Sequence, residues 1–383
     1  MRTAPPDYAS AALLSDLVPA AALGLGAGEI LDTGVRERAA RLGLDAEVRV
    51  AVVVLVDGMG ARLLRDRAAH APFLRGLLPD AGALSAGFPS TTANSLSSLG
   101  TGLLPGSHGV MGYRLLDPDR DVVFNQLTWD PEVDPEQWVP DATLFERLGD
   151  AGVDVVSLGE PKFAGRGLNQ ASLRGGRFRG SQTLSERVDH AREEIRRPGR
   201  RLVYLYWGNL DKTGHVHGVD SWEWLEELEH LDDRLAALAQ ALPADAELLI
   251  TADHGMVDVP HDSRIDLAET PELRAGVRAI GGEPRAVHVY AQPGAAAEVR
   301  AAYRSVLGER ALVLTRDDAI GRGFFGPVRP VNRARIGDLV VVCDAGVGIV
   351  DSEHDSPAAL ALLGHHGGIT ERELEIPLLR ARG

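Results

Sequence analysis

Residues 48–56 read VRVAVVVLV, an almost unbroken β-branched and apolar run that ends in Asp57-Gly58. A strand with one wet face alternates polar and apolar residues. This run does not alternate, which predicts a strand buried on both faces of a parallel sheet. The pattern recurs at 202–207, ending in Gly208-Asn209-Leu210-Asp211, and at 248–251, ending in Ala252-Asp253-His254-Gly255. A fourth run, 153–158, leads into Gly159-Glu160-Pro161-Lys162. Helical spacing falls between the strands: over 60–78, with Leu63, Leu64 and Leu74 among the buried positions, and over 221–242, capped by Asp220 or Ser221. Alternating strands and helices predict an α/β fold, a mainly parallel central sheet flanked by helices on both faces through right-handed crossovers.

The texture changes after about residue 260. Short strands at 286–290 and 311–314 and a helix over 295–307 predict a small α+β insertion, which 339–342 closes or leaves to rejoin the core. The expected division is a catalytic core of 1–259 and 350–383, with 260–349 inserted. Residues 11–45, apolar helical pieces broken by Gly and Pro, are expected to form a surface layer leading into the core.

Composition narrows the chemistry. A net charge of −15 without a basic cluster excludes a nucleic-acid polymer or an anionic membrane surface as the main partner. Cys343 is the only cysteine, so no internal disulfide and no thiolate cluster is available, and a bound metal has to use His and Asp. The first thirty residues lack a basic start followed by a long apolar run, and no apolar stretch approaches membrane-spanning length. The chain therefore reads as cytoplasmic, although one whose export signal had been removed would read alike. Nothing in the sequence specifies an oligomeric state.

Segment 88–109, FPSTTANSLSSLGTGLLPGSHG, sets two threonines at a helix start. Ala93, Leu96, Leu99 and Leu103 repeat at helical spacing, Ser90 or Thr91 is placed to cap, and Thr92 falls in the first turn. An alkoxide on Thr92 or a phosphoryl oxygen beside it would be stabilised there by free N–H groups and the helix dipole. In open parallel sheets, sites form at the carboxyl ends of strands. Asp57, Asp211 and Asp253 all stand just past such ends, and three carboxylates aimed at one crevice repel unless cations neutralise them. His215 follows Asp211 by four residues, His254 adjoins Asp253, and a late His365-His366-Gly367-Gly368 returns near the end. Singly, an Asp after a strand is most simply a helix cap and a lone histidine a surface or core residue. Together they point to a metal centre.

These motifs, in order from Asp57 to His366, resemble the alkaline phosphatase superfamily and most closely its nucleotide pyrophosphatase/phosphodiesterase branch. DGMG at 57–60 looks like the first metal motif, FPSTTANSLSSLGTG like the nucleophile segment, DKTGHVHG at 211–218 and DHGM at 253–256 like later ligand motifs. The resemblance implies two zinc ions, or manganese or iron on the same donors. One would be held by Asp211, His215 and His366, with His365 as the alternative, and the other by Asp57, Asp253, His254 and Thr92. It implies hydrolysis of a phosphodiester or pyrophosphate in a small molecule such as a nucleotide, through a phosphothreonine on Thr92. A phosphomonoesterase or a phosphonate hydrolase of the same superfamily is the near alternative, and a non-catalytic metal-binding protein the distant one. The match departs at the nucleophile segment: the branch carries Asn three residues after the nucleophile, where this chain has Ser95. Asn94, one position earlier, is the candidate donor to a phosphoryl oxygen, with helix-start packing as its alternative. Lys162, after the 153–158 strand, is the candidate cation for a second phosphate charge, sharing its loop with Arg166 and Arg174. Trp207, Tyr206, Phe163 and Trp129 are candidates to stack on a base or aryl group.

Overall fold

The computed structural model describes residues 4–44 and 47–383, so residue 45, the last of the expected surface layer, lies outside it. Seven strands form the central sheet. In chain order they are β1 (Val50–Val56), β2 (Gly82–Ser85), β3 (Asp154–Gly159), β4 (Arg177–Gly180), β5 (Arg201–Trp207), β6 (Ala246–Thr251) and, after four strands of a second sheet, β11 (Glu375–Arg382). The spatial order is β2-β11-β6-β1-β5-β3-β4. The five strands from β6 to β4 are parallel, whereas β11 runs antiparallel to both β6 and β2. Every residue of β1 is buried, as expected of a strand with neighbours on both sides and helices above and below.

The second sheet holds β7 (Val277–Glu283), β8 (Ala286–Ala291), β9 (Ala311–Thr315) and β10 (Leu339–Cys343), in the antiparallel order β7-β8-β10-β9. So 339–342 pairs within this second sheet, and Gly348–Val350 then pairs with Arg264–Asp266. The two-residue period of β10 divides it between two cores. Leu339, Val341 and Cys343 face a small cluster built from residues between Ile265 and Ile349, with Val299, Tyr303 and Leu307 of the Ala296–Leu307 helix. Val340 and Val342 face the main core.

Three local expectations are corrected. The 60–78 helix is broken into Ala61–Asp66 and Pro72–Leu77 with a 3-10 turn between, because Pro72 lacks an N–H and starts a new helix at its first position. Leu63, Leu64 and Leu74 are nonetheless buried. Within 11–45, the Leu17–Gly24 helix belongs to the core: Leu17, Val18, Ala20 and Ala22 are wholly buried, as a helix apolar on every side must be. In the 88–109 segment, the helix runs Thr92–Thr101 with Thr91 at the N-cap, but no side chain caps it. The Ser90 hydroxyl donates instead to the Gly368 carbonyl, and Leu103 lies beyond the helix end. For the Trp222–Ala239 helix, Ser221 is the cap, accepting from the Trp224 N–H at 3.2 Å.

The Thr92–Thr101 helix is buried along its whole length, and Gly100 is where it presses against the Gly167–Ser172 helix. A Cβ at Gly100 would lie 1.8 Å from the Ser172 carbonyl oxygen and 2.8 Å from Leu173 Cδ2. Gly→Ala inside a helix ordinarily gains about 1 kcal/mol. Here the sign reverses: Gly100→Ala is expected to destabilise the protein by about 1–3 kcal/mol through overpacking, read as a lowered melting temperature. An unchanged or raised melting temperature would contradict this packing.

Candidate metal centre

The strand order sets the site. Because β6, β1 and β5 are neighbours, the residues that leave their carboxyl ends come out side by side: Asp253, Asp57 and, two residues into the Asn209–His217 helix, Asp211. Gly58 lets the first turn this tightly. It has φ +76°, and a Cβ there would meet Asp211 Cα and Cβ at 3.0 Å. Its N–H donates to Asp253 Oδ1 at 3.2 Å.

Around these carboxylates the histidines are oriented by the backbone. His254 Nδ1 donates to the Gly255 carbonyl at 2.9 Å, His215 Nδ1 to Gly364 at 2.7 Å and His366 Nδ1 to Ser90 at 3.0 Å. Each ring thereby presents Nε2 to the carboxylates, the arrangement by which a second shell fixes the tautomer of a metal ligand. His254 Nε2 lies 3.3 Å from Asp57 Oδ1 and 3.4 Å from Asp253 Oδ2, while His215 Nε2 lies 3.2 Å from Asp211 Oδ2 and His366 Nε2 3.9 Å from Asp211 Oδ1. The His254 and His366 rings stack with centroids 3.7 Å apart. Thr92 Oγ1 completes the group, 3.2 Å from His254 Nε2 and 3.4 Å from Asp57 Oδ2.

One oxygen of each aspartate, Asp57 Oδ1, Asp211 Oδ1 and Asp253 Oδ2, is buried without a hydrogen-bond partner. Buried carboxylate oxygens left this way are costly, and all three belong to the cluster, so the donor set fits divalent cations. Within this cluster two triads have ligand atoms within 4.8 Å of one another: Asp57, Asp253 and His254, and Asp211, His254 and His366. His254 joins both, and His215 enters through Asp211 with its ring centroid 5.2 Å from that of His366.

The electrostatics follow from burial and crowding. Burial, then the charges of Asp211 and Asp253, push the Asp57 carboxyl well above its usual range, and burial with the Asp211 charge takes Asp253 up to about 7. For Asp211 burial works the same way, but the His215 charge and hydrogen bond override it and hold the carboxyl below its usual range. Burial disfavours a charged His215, yet Asp211 raises it to about 9. Burial and the neighbouring His254 hold His366 well below the ordinary imidazole value.

The other candidates separate. His365 gives its Nε2 to the Leu362 carbonyl at 3.2 Å, so of the late pair His366 is the one that faces the carboxylates. Asn94 departs from its expected role. It is fully buried with its amide N–H donated to the Pro89 carbonyl at 2.7 Å, and it is not part of the cavity wall. Lys162 lines the cavity with Phe163 and Arg166, but its ammonium is exposed and paired with Glu160 at 2.6 Å. Arg174 is spent on Glu146 and on backbone carbonyls. Phe163 and Tyr206 stand at the cavity in a T-shaped pair with centroids 5.8 Å apart, whereas Trp129 and Trp207 are core residues whose indoles bond Val133 and Glu227. One role escaped the sequence: the Tyr206 hydroxyl donates to Asp57 Oδ2. The i, i+2 spacing of Tyr204 and Tyr206 on β5 puts both on the face towards Asp57, which is the only signal the sequence carried.

The cavity in front of the cluster has a volume of about 1530 Å³ and takes its walls from both the core and the insertion, including Val277–Glu283. Among the described residues no helix is long and apolar enough to cross a membrane.

Known proteins show the same architecture. The profile of the type I phosphodiesterase / nucleotide pyrophosphatase family matches residues 51–369. A phosphopentomutase of Shewanella denitrificans is 32% identical over 119 residues, 30% of this chain and 27% of the relative. The chain thus matches little more than a quarter of that relative's length. Among solved structures, murine ectonucleotide pyrophosphatase / phosphodiesterase 5, an inactive form in complex with AMP, superimposes with TM-score 0.71 at 20% identity, covering 88% of both chains. Phosphonoacetate hydrolase from Sinorhizobium meliloti does so with TM-score 0.66 at 21% identity, covering 88% of this chain and 90% of the other.

Cation binding requires these groups to lose their protons. With Asp253 near 7 and His215 near 9 in the metal-free protein, uptake of a divalent cation at pH 7 is expected to release protons, and the release should shrink as pH rises past 9. Calorimetry in two buffers of different ionisation enthalpy reads this directly. Uptake without proton release at pH 7 would contradict the assigned ligands.

Proposed function

The chain belongs to the type I phosphodiesterase / nucleotide pyrophosphatase family, and from that premise we propose that it is a two-metal hydrolase of phosphodiester or pyrophosphate bonds in small molecules, nucleotides among them, with Thr92 as nucleophile. The observation that carries this reading is the position of the Thr92 hydroxyl: first residue of a buried helix, within 3.4 Å of Asp57 and His254.

In this reading Asp57, Asp253 and His254, with Thr92, hold one cation, and Asp211, His215 and His366 hold the other. Oxygen and imidazole donors without thiolate suit zinc, and manganese or iron fit the same set. When bound, such a pair supplies the Lewis acidity that lowers the pKa of the threonine hydroxyl and offsets charge building on phosphoryl and leaving oxygens.

The chain's own residues do the rest. Thr92 Oγ1 bonds to phosphorus as the bond to the leaving oxygen breaks, and Asp57 Oδ2 is an acceptor within reach of the hydroxyl proton. The Tyr206 hydroxyl holds that carboxylate in place. Water then cleaves the Thr92–phosphate ester, restoring the hydroxyl and releasing the second product. The N–H groups of the first turn of the Thr92–Thr101 helix carry no side-chain cap, which in this reading leaves them to bind phosphoryl oxygens.

Two features favour diesters over monoesters. The cavity, at about 1530 Å³, exceeds the ~300–1,000 Å³ of ordinary small-ligand pockets and leaves room for a group on each side of the phosphorus. Lys162, the candidate for the extra charge of a monoester, is already matched by Glu160 and lies over Phe163 at 5.0 Å.

The test is parallel turnover of a bis-aryl phosphate, an aryl phosphate and an aryl phosphonate by zinc-loaded protein, with Thr92→Ala and Lys162→Ala beside it. The bis-aryl phosphate is expected to turn over fastest. Thr92→Ala should lose about 10⁴-fold or more in kcat, the scale on which removing one member of a catalytic unit is felt, while still binding zinc. Zinc binding with no turnover of any substrate by the wild type would leave the non-catalytic reading. A wild-type preference for the monoester that collapses in Lys162→Ala would install the monoesterase reading.

A further inference from the structure

The two stacked histidines are carried by loops that share a single anchor. Glu373 is fully buried and does not line the cavity. Its Oε1 accepts the Gly368 N–H at 2.9 Å, and its Oε2 accepts the Thr370 hydroxyl at 2.6 Å. Its backbone carbonyl accepts the Gly255 N–H at 2.9 Å. Gly255 follows His254, and Gly368 lies two residues after His366. The anchoring runs on from Gly368: its carbonyl accepts from Ser90 Oγ at 2.8 Å, and Ser90 in turn accepts from His366 Nδ1. One residue therefore holds the backbone beneath both rings. Neither loop has slack, since a Cβ on Gly255 would lie 1.8 Å from the Arg372 carbonyl oxygen and one on Gly368 2.7 Å from Glu373 Oε2.

The charge of Glu373 is met from the insertion. Arg285, in the turn between β7 and β8, is also fully buried and reaches Glu373 with two parallel bonds, Nε to Oε1 at 2.9 Å and Nη2 to Oε2 at 2.8 Å. Its remaining nitrogen donates to the Val347 and Asp344 carbonyls. A buried ion pair of this kind contributes little net stability compared with apolar side chains of similar volume. Its worth here is geometric.

We propose that the Arg285–Glu373 pair is a positioning element of the metal centre: it fixes the loops of His254 and His366 and makes cation affinity depend on the inserted subdomain. The inference rests on the metal-centre reading above. Neither residue touches substrate or cation, so both act through the histidines.

The test is zinc titration of the full chain by calorimetry against a competing chelator, alongside the melting temperature of the metal-free protein. In the double variant Arg285→Met/Glu373→Leu the pair is replaced by apolar groups, and zinc affinity of the folded protein is expected to fall about 10- to 100-fold, the usual effect of losing outer-shell support, whether or not the lost bonds to Gly368, Thr370, Val347 and Asp344 also lower the metal-free melting temperature. A pair that only stabilised the fold would move the melting temperature and leave affinity alone, and that result overturns the proposal. If the double variant does not fold, Glu373→Gln serves: the amide keeps the volume but accepts at one atom only, and an affinity equal to wild type again overturns the proposal. A wild type that takes up no zinc overturns the metal-centre reading and this inference together, whereas tight wild-type binding matched by the variants overturns this inference alone.

Discussion

Three crowded carboxylates, two of them buried and the third nearly so, dominate this site. Their proximity follows from strand order, because β6, β1 and β5 are adjacent and parallel and so deliver Asp253, Asp57 and Asp211 to one edge. Burial and mutual repulsion raise Asp57 and Asp253, whereas Asp211 keeps its charge beside a raised His215. The surrounding structure works against that relaxation. Backbone carbonyls direct three imidazole nitrogens inward, Tyr206 holds one carboxylate oxygen, and an oxygen of each aspartate is left unbonded. Such a cluster offers a divalent cation a donor set already in place.

The second feature that gives the site its character is where the Thr92 hydroxyl sits. Thr92 belongs to a helix without an exposed residue, held against its neighbour at a glycine contact and tied to the late histidine loop by Ser90. A hydroxyl on so rigid a support keeps its distance to Asp57 and His254 without spending conformational entropy at each turnover. The insertion contributes a cavity wall and, through Arg285, a hold on the loop carrying His366. It is therefore part of the site's construction as well as its enclosure.

Much of this is legible in the chain because the informative residues obey local rules. The β-branched 48–56 run reads as a strand wet on neither face, realised over Val50–Val56, and an Asp just past each of three such strands marks the sheet edge where the cluster forms. What stays hidden depends on partners distant in sequence. Thr91 and Ser90 read as caps by local chemistry, but Gly368, some 280 positions away, claims the serine hydroxyl. Asn94 reads as a substrate donor, yet the Pro89 carbonyl takes its amide. His365 and His366 are indistinguishable as letters and differ only in which carbonyl each ring meets. Pro72 is the exception: its missing N–H is a local signal that divides the 60–78 helix on sequence alone.

The position of β11 has a consequence for how the protein comes into being. This last strand of the central sheet lies between β6 and β2, and β2 pairs with nothing else in the sheet. During synthesis from the amino terminus, β6 would wait with an open hydrogen-bonding edge while the whole insertion emerged, and such edges invite pairing with other chains. The strand that seals the edge arrives just after His366 and Glu373. Closure of the sheet and arrival of the last residues of the Asp/His cluster are thus timed together, so a prematurely terminated chain carries both an open sheet edge and an incomplete cluster.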